Sequence, residues 1–443
     1  MTNRVISNKQ LQQIVFFSII ATVFWLLPGY AQVASISASE TITTETTATA
    51  TTPTSLPDVP MSTVMASSTP EMQNKQIRIT AVGDIMMHQR QLDTHYDKTL
   101  ESYVFDDDYI HILGELKRAD LLIGNLETTL GGPDQKYSGY PLFNTPDSLA
   151  EALKRTGFDV LSTANNHCLD TGVKGLKRTA KTLRDMDFGV IGTRQSPDEK
   201  SSLLTEVKGI KIGMLGYTYE TGRREKSRTI NGNSVPAAAL PLIDSFSPAH
   251  IDDAVKEMQG RIASLRNEGA ELIVMYLHWG VEYGLDPTAG QQKMAQQLAS
   301  AGVDIIFGSH PHVVQTATFI PRADGGRTFV AWSLGNFISN QRFEFLERHN
   351  TEDGLITSVT VERNSTGKIV IAKVDYQPTW VHRHARDGQW YYHILPLPQA
   401  LLNPAPYNFD RANHVRARNS LIRTQKVIEG APEWKPTPIP ELP

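Results

Sequence analysis

The chain is poor in cysteine: Cys168 stands alone among 443 residues. One thiol excludes an intramolecular disulfide framework and an all-thiolate metal site, so any bound metal must be held by nitrogen and oxygen. Cys168 itself reads as a small packed side chain. A basic excess is also missing, since 43 Lys and Arg face 47 Asp and Glu for a net charge of -4. No general positive field marks the chain for nucleic acid. Long apolar runs are absent except near the start, and no internal repeat is visible. The rest is ordinary for a globular protein, with 40% hydrophobic and 20% charged residues, enough for one large core or two modest ones.

The apolar run sets the expected domain boundaries. Arg4 and Lys9 precede Ile14 to Leu27, followed by Pro28-Gly29-Tyr30-Ala31. That order of charged, apolar and small residues predicts an export signal over 1–34, or a membrane anchor if it is left uncut. No cysteine near residue 30 offers a lipoprotein anchor. The folded part is then expected on the periplasmic or extracellular face of the cytoplasmic membrane. Residues 35–74 are rich in Thr, Ser and Pro and predict an extended linker. A catalytic domain over 75–400 follows, then a C-terminal helix and a loose Pro-rich tail over 401–443.

Within 75–400, strands and helices alternate. Strand patterns occupy 77–82, 121–123, 158–163, 211–217, 271–277 and 303–307, and helical patterns occupy 147–156, 172–186, 251–267 and 288–301. Consecutive strands follow at 329–333, 355–361, 368–376 and 390–394, with a last helix over 410–427 and Asn408 as a possible cap. Residues 220–249 show neither period and read as a long loop. This order predicts an α/β layered domain with an added run of β strands, and ligands gathering beyond the carboxyl ends of the strands.

Six polar clusters occupy those ends: Gly83-Asp84, Gly124 to Glu127, Asn165-Asn166-His167, His278-Trp279-Gly280, Gly308 to Val313 and Gly335-Asn336-Phe337. Asp84 and Glu127 supply negative charge, and one of them could bridge two cations. Asn166 can offer a neutral carbonyl oxygen. His278, His310 and His312 are neutral imidazole donors. In an extended segment, His310 and His312 would share a face and could ligate one metal, serve adjacent metals, or divide between metal and substrate. Mixed carboxylate, amide and imidazole donors suit two divalent ions such as Mn, Fe or Zn, the arrangement of a two-metal hydrolytic centre. His167 could give a proton to a leaving group, with Asp170 either orienting it or capping the helix that starts near Gly172. Arg223, Arg224, Lys226 and Arg228 could draw in an anionic substrate. Trp279 and Tyr283 could wall the site. Asn125, Asn165 and Asn336 are expected to face substrate. Of the remaining histidines, read as packing, His88 has the best claim to a role.

These motifs, in this order, resemble the CapA/PgsA family of poly-γ-glutamate capsule synthesis proteins. The matching stretches are Gly83-Asp84, Asn125-Leu126-Glu127, Asn165-Asn166-His167 with Asp170 and Gly172, His278 to Tyr283, His310 to Gln315 and Ser333 to Phe337. The family is similar to calcineurin-like metallophosphoesterases, which implies a four-layer α/β/β/α sandwich and a two-metal site. The resemblance makes Asp84, Glu127, Asn166, His278, His310 and His312 ligands and His167 the acid. It departs at Met86, where the superfamily carries a histidine two residues after the first aspartate. It implies a role in capsule polymer synthesis or attachment, with phosphoester hydrolysis the reaction suited to the ligands. An anionic polymer or phosphoester would be the substrate, and membrane ligase or export components the partners. A non-catalytic polymer-handling protein and a γ-glutamyl amide hydrolase or transferase are the alternatives.

Overall fold

The computed structural model describes residues 76–441 apart from 225, 226, 387 and 408. The expected leader and linker, Lys226 and the Asn408 cap lie outside the described residues. Among those described, no helix is long and apolar enough to cross a membrane.

Two β sheets face each other. In the first, the order is Gln389–Pro396, Ile369–Arg386, Asp353–Arg363, Ile77–Ile85, Leu121–Leu126, Val160–Ser162 and Gly189–Ile191. Its last four strands are parallel, and the C-terminal three join antiparallel at Ile77–Ile85. The second sheet runs Ser245–Phe246, Ile210–Tyr219, Leu272–His278, Ile305–Ser309, Arg327–Ala331 and Ala317–Pro321. Between the sheets, Ile77, Ile79 and Ala81 pack with Ile212, Val274, Ile305 and Phe307. Outside the first sheet lie Leu149, Ala150 and Leu153 of helix Ser148–Thr156 and Leu183 of Gly172–Asp185. Outside the second lie Val255, Met258, Ile262 and Leu265 of Ile251–Asn267, spaced three or four apart as a buried helical stripe requires. The result is the expected four-layer α/β/β/α sandwich, with the C-terminal strands extending its first sheet. Each fully buried aliphatic side chain contributes about 1.5–3 kcal/mol, so the inter-sheet layer is a main source of stability.

Strand patterns predicted the sheets because parallel central strands are buried on both faces and read as continuous apolar runs. Three expectations need correction. Residues 220–249 are not one loop: Gly222–Arg224, Ser227–Ile230 and Asn233–Ser234 form a small antiparallel ribbon, and Ser245–Phe246 joins the second sheet. These pieces are too short to show a period. The tail is not loose either. Ile428 and Ala431 are buried, Glu433 accepts from the Val374 backbone at 2.7 Å and Tyr376 donates to the Pro432 carbonyl at 2.9 Å. Finally, helix Arg411–Val427 is capped by Asp410, whose side chain accepts from the Asn413 backbone.

Register brings the site together. Asp84 pairs with Asn125, and Asn125 with Ser162, along the carboxyl edge of the first sheet. Thr218, His278 and Ser309 form the matching row in the second. Gly83 is needed next to Asp84 because a Cβ there would meet the Gly335 carbonyl oxygen at 1.8 Å. Gly308 faces the Trp332 carbonyl in the same way, at 2.0 Å. Close backbone approach at both positions sets neighbouring polar side chains against one another.

Candidate metal centre

Asp84, Glu127, Asn166, His278, His310 and His312 converge between the two carboxyl edges, and all six are buried. Two donor groups form. Donor atoms of Asp84, Glu127 and His278 lie within 4.8 Å of one another, and so do those of Glu127, His310 and His312. Glu127 is common to both. Asn166 Oδ1 stands 2.9 Å from His278 Nε2, which places the amide oxygen beside the first group. His312 Nδ1 is 3.0 Å from Asp84 Oδ2.

The donors ask for a cation. Glu127 Oε1 and His310 Nδ1 are buried without a hydrogen-bond partner, a cost of about 1–3 kcal/mol each when unrelieved. Burial pushes the Glu127 carboxyl well above its ordinary value, and the Asp84 charge adds to the shift. Burial also raises Asp84, but the hydrogen bond and charge of His312 outweigh it and hold that carboxyl well below its usual range. Burial lowers His278 to about 3 and His310 well below its ordinary value, so both imidazoles are neutral and fit to ligate. Carboxylate, amide and imidazole donors in these groups fit divalent cations.

The imidazoles of His310 and His312 do not meet by the pleat of a strand. Strand Ile305–Ser309 ends before them, and both take positive φ, 99° and 58°. Their rings stand 5.9 Å apart at 59°. The turn, which brings each ring to Glu127, replaces the extended segment expected from His-Pro-His.

Several residues expected at the substrate are instead behind the ligands. Asn125 donates to Asp84 at 2.8 Å and to Glu127 at 3.4 Å. Asn165 donates to Asn125 Oδ1 at 3.2 Å and to the Leu126 carbonyl at 2.8 Å, and it accepts from the His167 backbone. Asn336 Oδ1 lies 3.2 Å from His312 Nδ1. All three are fully or nearly fully buried. They orient the donor side chains, a role that partners of ligands commonly have. Trp279 is corrected too: it is buried, stacks on Trp332 with centroids 5.7 Å apart, and donates to the Trp332 carbonyl. Its ring is too well matched to the core to reach the site. Arg223 and Arg224 sit in the small ribbon, with side chains outside the described set, and Arg228 is paired with Glu220 at 3.1 Å.

Asp170 orients rather than caps. Its Oδ2 lies 2.7 Å from His167 Nδ1 and accepts from the Phe143 backbone at 2.6 Å. Helix Gly172–Asp185 has no side-chain cap. The carboxylate therefore keeps the proton of neutral His167 on Nδ1 and its Nε2 unprotonated, or stabilises the doubly protonated ring.

His167 and His312 open onto a cavity of about 400 Å³, whose wall includes Met86, His88, Tyr140, Phe143, Tyr283 and Phe345. Met86 is thus at the cavity but outside both donor groups. His88 accepts from the Asn340 backbone at Nδ1, 3.2 Å, and burial together with the nearby His312 charge lowers it to about 3. It is a neutral ring with its proton on Nε2. Tyr140 and Phe143 sit in irregular segments, and Phe345 in the four-residue helix Phe343–Leu346, so none shows a period that sequence could read.

The profile of the family described as bacterial capsule synthesis protein PGA_cap matches residues 78–341, more than half of the chain. The chain belongs to that family. It is 27% identical over 310 residues to the capsule biosynthesis protein CapA of Bacillus anthracis, covering 69% of each chain. It is 26% identical over 298 residues to the PGA biosynthesis protein CapA of Bacillus subtilis (strain 168), covering 66% of this chain and 70% of that one. Among solved structures, NAD nucleotidase (NadN) of Haemophilus influenzae aligns with a TM-score of 0.42 and 13% identity, over 80% of this chain and 64% of that one. The matched region spans every donor residue from Asp84 to His312.

Proposed function

We propose that the protein is a metal-dependent hydrolase of capsule polymer synthesis or attachment, cleaving a phosphoester. The observation that carries this reading is Glu127, shared by two donor groups, one of which reaches through His312 the cavity that His167 also lines. Two divalent cations, when bound, would supply an activated water and screen the phosphoryl charge. Asp84, Glu127 and His278, with Asn166 beside them, would hold one, and Glu127, His310 and His312 the other. The chain's own work is then to fix these donors through Asn125, Asn165 and Asn336, and to offer a proton to the departing oxygen from His167. Asp170 keeps the His167 ring in place for that transfer.

Export, through the N-terminal apolar segment, and a place on the outer face of the membrane complete the proposal. The family's capsule role supports a polymer-related partner. The test is metal analysis of the purified full chain together with hydrolysis of bis(p-nitrophenyl) phosphate. We expect about two Mn, Fe or Zn per chain, activity lost on chelation, and at least a ~100-fold fall in kcat/KM for His310→Ala. A chain that takes up no metal, or hydrolysis indifferent to chelation, refutes the reading. Cell fractionation checks the location: a soluble cytoplasmic pool alone rules out export.

A further inference from the structure

The cavity beside the metal centre has walls of a definite chemical kind. Phe143 lies against His167, with ring centroids 4.7 Å apart, and Tyr140 lies 6.3 Å beyond Phe143. On another side Tyr283 lies 6.1 Å from His312. Phe345 supplies a further aromatic surface. Aromatic walls thus start at the two imidazoles nearest the centre and lead outward. At the mouth, Tyr140 is 72% and Phe345 54% exposed, unusual for large apolar rings.

Charge on the wall itself is sparse. One acid, Glu282, and one base, Arg90, line it, and the Arg90 guanidinium is 6.0 Å from the Phe345 ring centroid. Two more guanidiniums stand against the aromatic walls, Arg348 5.1 Å from the Tyr283 ring centroid and Arg383 5.8 Å from that of Phe345. An uncharged group with a flat apolar face would meet surface of its own kind, and its burial would remove exposed rings from water.

We propose that this cavity binds an uncharged, flat apolar group carried by the phosphoester. Its phosphoryl group sits at the His167 and His312 end, and the apolar group lies on Tyr140, Phe143, Tyr283 and Phe345. The inference rests on the metal-dependent phosphoesterase reading for its phosphoryl end. It goes further by naming the substrate class.

The test uses unreactive probes, so that binding is separated from turnover. Titration calorimetry on the full chain loaded with Mn²⁺ compares benzylphosphonate with methylphosphonate. Burying a phenyl ring predicts benzylphosphonate tighter by about 10- to 50-fold. Tyr140→Ala and Phe345→Ala, both at exposed positions, should each cut that ratio by at least about threefold. Tyr140→Phe should keep it, because the ring and not the hydroxyl carries the contact. Leu402→Ala, an exposed apolar position outside the cavity wall, should also leave the ratio alone. Equal affinities for the two phosphonates overturn the subsite, as does displacement of benzylphosphonate by a short poly-γ-glutamate. So does loss of phosphatidylcholine-vesicle binding in both alanine variants with the phosphonate ratio intact, which would make the rings a membrane contact. Hydrolysis of bis(p-nitrophenyl) phosphate without any benzyl preference sinks the subsite and spares the hydrolase. A benzyl preference without hydrolysis does the reverse.

Discussion

Glu127→Gln should act in opposite directions on stability and on metal binding. In the metal-free protein, Glu127 is fully buried with Oε1 unpartnered, and burial and Asp84 push its carboxyl well above the ordinary range. A group with a raised folded value contributes stability that is whole below its unfolded value. That stability is lost as pH rises through the folded value. The wild-type metal-free chain therefore loses stability as pH rises above about 4.3, and the glutamine variant does not. Removing the buried acid relieves about 1–3 kcal/mol. For the roughly 360 described residues, an unfolding entropy of about 2.1 cal/mol/K per residue turns this into about 1–4 °C in Tm. Calorimetry of chelator-stripped protein at pH 5 and pH 8 should show the variant melting above wild type, by more at pH 8. Metal should then reverse the order, because the shared donor is gone: wild type should rise sharply with Mn²⁺ or Zn²⁺, and the variant little. If the stripped variant melts lower, or metal raises both proteins equally, Glu127 is a structural residue and the shared-ligand argument fails.

Three more outcomes are expected. Asp170→Asn should leave metal content unchanged and slow esters of poor leaving groups by about 10²-fold or more, with p-nitrophenyl esters affected less; equal slowing of both denies His167 its role as acid. Burial, together with His384 and His393, lowers His382 to about 2, so its folded value is depressed. Its contribution is whole above the unfolded value near 6.5 and falls as pH drops from there toward 2. His382→Phe should therefore gain about 2–3 kcal/mol on wild type between pH 7 and pH 4.5, read from urea midpoints, whereas identical pH slopes would contradict the burial argument. Glu352 accepts from Arg342, Arg416, Trp380 and the Phe343 backbone. Glu352→Ala strands buried Arg342 and should cost about 3–5 kcal/mol, or roughly 4–6 °C in Tm; a loss under 1 kcal/mol would mean that the network does not hold helix Arg411–Val427 to the sheet.

Much of this architecture could be read from residue order. The parallel strands are legible because both their faces are buried, as in Leu272–His278, where no position is exposed. Helices Ile251–Asn267 and Gly172–Asp185 show their apolar stripes plainly. The ribbon over 222–234 does not, since its strands span two to four residues and carry no period. The docked tail was missed for a related reason. Pro-rich composition says that a segment lacks regular structure, but not whether Ala431, Glu433 and Trp434 find partners on a sheet edge.

At the site, strand ends alone pointed to the candidate donors, because a strand end is where a polar side chain can stand clear of the sheet and meet others. Sequence could not say what each amide faces. Asn125, Asn165 and Asn336 look like substrate ligands in a motif and prove to be braces, because register sets them behind Asp84, Glu127 and His312. Trp279 beside a ligand and Tyr283 four residues later look equivalent in one dimension, yet one ring is core and the other cavity wall. By itself, then, the sequence determined the layered α/β class, the family and a set of candidate donors, since apolar periodicity and motif order are local properties. Only the tertiary structure decided that Glu127 joins two donor groups and that aromatic walls lead away from them. Those facts depend on how two facing sheets align their carboxyl ends and on the segments that follow them, whose distances no local pattern encodes.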